Sequence, residues 1–125
     1  MSYVEKHTVT VTTATGGGAT AYTPVVMGRV AAIQYIRATA ADAFASTADF
    51  DIETADSAQT LWKEDAVNAS KTVAPTIQAH TTTGGALATA GDVQRSPVHA
   101  ATERIKITIA QGGNTKTGTF RLVIA

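Results

Sequence analysis

Several residue sets in this 125-residue chain have the types that chemistry uses. Lys116-Thr117 follows Gly112-Gly113, which invites a phosphate-loop reading. That motif needs Gly directly before Lys and a helix after it. Here Thr115 precedes Lys116 and a strand pattern follows, so the segment reads as a turn. Asp49, Asp51 and Glu53 alternate with apolar residues, which puts three carboxylates on one strand face, about 6.5–7 Å apart. They could help hold a cation, but hard-cation sites gather oxygens from compact loops. A solvated strand face is the favoured reading. His7, His80 and His99 lie far apart and show no metal-ligand spacing. No Gly-x-Ser-x-Gly nucleophile turn occurs. Cys is absent, which removes thiolate ligands, Cys nucleophiles and disulfides together. Asn68-Ala69-Ser70 fits the glycosylation triplet, but without a secretion signal it reads as chance. The expectation is a protein that is not an enzyme, with no catalytic residue, cofactor or metal ligand.

Large aromatics could instead serve contact. Trp62, Phe44, Tyr35 and Tyr22 are the candidate interface residues. Core packing is the commoner fate for Trp62 and Phe44 in a small domain.

Composition indicates what must position these residues. Ala contributes 24 residues and Thr 22, and there are only three Leu. Helical bundles fill their cores with Leu, whereas Thr, Val and Ile favour extended backbone. Ten basic residues balance ten acidic ones, so no basic stripe marks a nucleic-acid partner. No apolar run approaches the roughly 20 residues of a membrane helix. The opening Met1–Lys6 is polar and charged, unlike a secretory signal, which predicts a protein made in the cytoplasm.

Alternation at period two marks the strands. His7–Thr13 carries Val9 and Val11 on one face and threonines on the other, and stops at Gly16-Gly17-Gly18. A short extended piece follows from Ala19 to Thr23. From about Gly28 to Arg37 both faces carry apolar groups, with Val30, Ala32, Gln34 and Ile36 on one and Ala31, Ile33, Tyr35 and Arg37 on the other. Such a strand belongs at the centre of a sheet or at an interface. The Ala-rich segment Thr39–Ala48 is a short helical turn or a loop, and propensity favours the turn. Asp49–Thr54 is a strand, with Gln59–Lys63 as its hairpin partner. A strand is expected around Ser70–Pro75, and loops at His80–Gly85 and Ala90–Asp92. Glu103–Ala110 and Thr117–Ile124 alternate cleanly around a Gly-rich turn and read as a hairpin, with Ala125 tied into the sheet. The chain is thus expected to be one all-β domain over residues 1–125. It is a β-sandwich or small jelly-roll-like barrel of about six to eight short antiparallel strands, with a long loop or arm within 64–98.

Three segments together carry a resemblance. They are His7–Ala14 with the Gly-rich turn and Thr20-Ala21-Tyr22-Thr23-Pro24, then Gly28-Arg29-Val30-Ala31-Ala32-Ile33-Gln34-Tyr35, then Ile105–Val123 with Ala110-Gln111-Gly112-Gly113-Asn114-Thr115-Lys116-Thr117-Gly118 at its turn. This arrangement resembles small structural proteins of tailed-bacteriophage heads, and most of all the capsid cement, or decoration, proteins with a jelly-roll-type fold. It covers roughly the first 37 and last 25 residues. The resemblance implies a virion protein on the outer capsid surface that bridges and stabilises major capsid subunits. It also implies a homodimer or homotrimer, with no nucleic-acid or membrane partner. A tail or head–tail connector component and a carbohydrate-binding β-sandwich module are the alternatives.

Overall fold

A computed structural model describes residues 4–78 and 95–125 of the chain. The alternating segments become strands because each can bury one face and leave the other in water. The strands are β1 (Glu5–Thr12), β2 (Ala19–Tyr22), β3 (Val26–Arg37), β4 (Asp49–Thr54), β5 (Thr60–Glu64), β6 (Lys71–Val73), β7 (Thr76–Gln78), β8 (Arg95–Pro97), β9 (His99–Glu103), β10 (Ile105–Ala110) and β11 (Thr117–Ile124). No helix occurs among the described residues. One sheet runs β1-β11-β3-β6, with β9 also beside β3, and the other runs β2-β10-β4-β5. All pairings are antiparallel. The molecule is therefore the all-β sandwich that composition and alternation predict.

The pairing is nested. β1 pairs with β11, β2 with β10, β3 with β6 and β4 with β5. The pairs β11–β3 and β10–β4 join these into two sheets. This is the winding of a jelly roll, a long hairpin rolled so that its two ends lie beside each other.

Three expectations need correction. Nine strands form the two sheets, against six to eight expected; the added one is β9, whose burial does not alternate at period two. β10 and β11 do not form a hairpin. Residues 111–116 cross between the sheets, so that Ile105, Ile107 and Ile109 face Phe120, Leu122 and Ile124 across the core. Alternation marks a half-buried strand but is blind to whether its neighbour lies beside it or opposite. In β3 the two faces exchange. Val123 pairs with Ala32 but Ile124 with Val30, so Ala31 is an extra residue. That bulge lets Val30, Ile33 and Tyr35 all point inward. Residues 39–48 are, within the alternatives expected, a loop holding one helical turn, where Ala43 N–H donates to the Thr39 carbonyl at 2.9 Å. The segment must cross from β3 to β4 in the other sheet, and it is pinned by buried Phe44 and Ala48.

β4 and β5 pair as expected, and Ala125 is bonded in both directions to Arg29, at 2.8 and 2.9 Å. β7 and β8 pair only with each other, a two-stranded ribbon apart from both sheets. The expected loops at 80–85 and 90–92, and residues 79–94 of the expected arm, lie outside the described residues.

The core is organised around Phe50. Its ring lies 4.8 Å from Tyr35, 5.1 Å from Phe120, 5.3 Å from Trp62 and 6.0 Å from Phe44, each edge-on. This is the preferred geometry for aromatic quadrupoles. Gly118 lies beneath them. A Cβ there would stand 2.5 Å from Phe44 Cε2 and 2.9 Å from Tyr35 Cε1. At that end Thr13 Oγ1 donates to the Gly113 carbonyl at 2.6 Å, and Lys116 N–H donates to Thr13 Oγ1 at 2.8 Å, tying two turns together.

Candidate functional site

The residues singled out from the sequence do not converge. Lys116 is part of a turn, and its Nζ donates to the Ala41 carbonyl at 2.9 Å. Asp49, Asp51 and Glu53 line the outer face of β4. Asp49 accepts from Ala66 N–H at 3.1 Å and Gln111 Nε2 at 3.2 Å. Asp51 stands opposite Lys63, and Glu53 opposite Lys106. The acidic face is thus interleaved with lysines. His7 bonds to Glu5 at 3.2 Å, His99 stands opposite Arg29, and His80 lies outside the described residues. Among the described residues no three metal-ligating side chains come together.

Of the four candidate interface residues, only Tyr22 is presented, at 47% exposure. Trp62, Phe44 and Tyr35 are buried in the aromatic cluster. Trp62 also donates its Nε1–H to Glu64 at 3.1 Å. The indole that a carbohydrate-binding reading would use is therefore covered.

Tyr22 forms one wall of a cleft of about 400 Å³ at the other end of the sandwich, together with Val25, Asp56, Thr102, Glu103 and Arg104. Local folding explains its shape. Thr23 is buried, with its N–H on the Ile105 carbonyl and its Oγ1 receiving Ile105 N–H, both at 3.0 Å. That clamp fixes the exit of β2. Val26 then points into the core, which turns Val25 and Met27 outward, at 55% and 72% exposure. Tyr22 and Val25 line the cleft and Met27 stands at its border, its Sδ 3.3 Å from Thr102 Oγ1, so the three form an exposed apolar strip beside it.

Glu103 is the buried anion beneath the cleft, at 4% exposure. Its carboxylate accepts Asp56 N–H at 2.9 Å, Ser57 N–H at 3.0 Å and the Ser57 hydroxyl at 3.0 Å. Those donors, the Ser57 backbone first, hold its pKa below the usual carboxylate value despite burial. Glu103 fixes the β4–β5 turn as an anion and is engaged by the fold. The cleft therefore offers shape, exposed apolar surface and a charged rim of Asp56 and Arg104, a combination suited to docking.

Sequence reasoning missed Glu103, Val25 and Met27. The signal was present. The alternation that turns Ile105, Ile107 and Ile109 inward also turns Glu103 inward. The run Val25-Val26-Met27 sends its outer members to the opposite face from its middle one.

No protein-family model, curated protein or solved structure matches the chain.

Proposed function

We propose that this chain is a structural protein of a tailed-phage virion that docks on the outer capsid surface, bridging and stabilising major capsid subunits. The observation that carries the reading is the exposed strip Tyr22–Val25–Met27 beside the cleft. Large apolar side chains grouped on a rigid framework are characteristic of protein contact surfaces. The resemblance in residues 7–24, 28–35 and 105–123 supplies the kind of partner. The jelly-roll winding supports it, since viral capsid domains use that fold, although lectins do too. The mechanism is mass action. A clamp that binds the assembled shell, and not loose subunits, stabilises the shell, and many copies acting together add avidity.

The test is to add the protein to bare expanded capsids. High occupancy and greater heat resistance are expected. Met27→Asp should lower occupancy at least several-fold while leaving melting unchanged, because Met27 is 72% exposed. Negligible occupancy by the wild-type protein, with unchanged heat resistance, overturns the reading.

A further inference from the structure

We infer that β1 is a self-association edge, and that two copies of this chain pair β1 with β1′ antiparallel about Val9. The argument begins with how the other edges end. β6 is three residues long and is followed by Pro75. β5 has a bulge, and the Glu64–Lys71 ion pair at 2.8 Å joins it to β6. Between them Val67 plugs that side of the sandwich, its N–H on the Ala48 carbonyl. β9 is kinked by Thr102, which has a left-handed φ of 57°. β2 has four residues and leads into Pro24. Short strands, bulges, Pro and edge charges are devices by which sheets avoid edge-to-edge pairing. β1 has none of the first three, and its exposed lysine, Lys6, stands one residue from its start. It is eight residues long, Pro-free and in unbroken register with β11.

The hydrogen-bonding phase of β1 follows from one bond. Thr13 N–H donates to the Lys116 carbonyl at 2.8 Å. Antiparallel ladders alternate bonded and non-bonded pairs, so Val11, Val9, His7 and Glu5 bond to β11. The backbone groups of Lys6, Thr8, Thr10 and Thr12 then point away from the sheet. Consistent with this, Thr12 and Thr117 form a close non-bonded pair, with hydroxyl oxygens 3.3 Å apart.

A second copy fits this edge in one register. The buried face stays continuous only if odd residues meet odd ones. Centring on Val9 places Lys6 opposite Thr12′ and Thr8 opposite Thr10′. All four outward residues then pair in each copy, closing about eight inter-chain backbone bonds. Centring on Thr8 would leave Thr12 without an opposite number among them. With Val9 at the centre no like charges face each other. Val9 meets Val9′ at a non-bonded position, where side chains approach most closely. The core also wants cover here. Val9, Ala19 and Ala21, on the two strands of this side, pack on it but are only partly buried. The pairing goes beyond the proposed function, since it needs no shell and holds or fails independently of capsid binding.

The experiment is sedimentation equilibrium on the full chain and on variants of exposed Thr12. A wild-type dimer is expected. Thr12→Lys sets Lys against Lys6′ twice per dimer and should weaken it, whereas Thr12→Glu should tighten it, a spread of roughly tenfold in dissociation constant. Thr10→Pro removes an outward N–H that β11 does not use, and should give a folded monomer. Should that variant unfold, the Thr12 pair decides the matter. A wild type that stays monomeric at its highest soluble concentration overturns the inference. So does a dimer that responds equally to Lys and Glu at position 12.

Discussion

Glu103 and Gly118 carry the fold through opposite demands, one for charge and one for its absence of bulk. Glu103 has a folded pKa below its ordinary value of 4.5. A depressed carboxylate adds stability above the unfolded pKa and loses it as pH falls through the folded one. Glu103→Gln should therefore destabilise the protein by about 2 kcal/mol at pH 7, since strong acceptors of Ser57 and Asp56 N–H are lost. The gap to wild type should close as pH falls through the lowered folded pKa, where the wild-type carboxylate also becomes neutral. Urea titrations across that range measure it, and a gap independent of pH would contradict the assignment. Gly118→Ala should cost about 1–3 kcal/mol, because its Cβ meets aromatic rings held edge-on by their neighbours. Thermal unfolding reads this directly. That Gly118 must be Gly was not legible in the sequence, since Phe44 and Tyr35 reach it from 74 and 83 residues away along the chain.

Strands were legible wherever the chain alternates for six residues or more. β1, β4, β10 and β11 lie within two residues of their expected bounds. What alternation could not supply is the identity of each neighbour. β10 and β11 have the pattern of a hairpin, but six residues of Gly-rich chain can turn back or cross over, and here they cross. β3 shows the second blindness, because a single extra residue at Ala31 reverses which face is inward. β11 stands between β1 and β3 in the middle of its sheet. Deleting Thr119–Ala125 should therefore abolish folding, since it strips partners from both neighbours and removes Phe120, Leu122 and Ile124 from the core. A truncated chain with full far-ultraviolet β signal and unchanged melting would refute this.

The whole molecule presents two unlike outer faces. That of β2-β10-β4-β5 carries Asp49, Asp51, Glu53, Lys63 and Lys106, alternating in sign, and suits water. That of β1-β11-β3 is largely Thr, Ala, Val, Gln and Ile, with Lys6, Arg29 and Arg121 as its charges. This sparsely charged face adjoins β1, which ends its sheet among the described residues, and the apolar strip lies at one end of the sandwich. Capsid docking and β1 pairing thus draw on different surfaces, and Met27→Asp and Thr12→Lys should separate them. By itself, the sequence determined the fold class, the inward and outward residues of most strands and the C-terminal tie, because period-two alternation and β-branched composition are local properties of the chain. Tertiary structure alone decided the jelly-roll winding, the buried placement of Trp62, Phe44 and Tyr35, and the exposure of Tyr22, Val25 and Met27. Those depend on which strands meet across the core, and that is settled by packing among segments far apart in the chain.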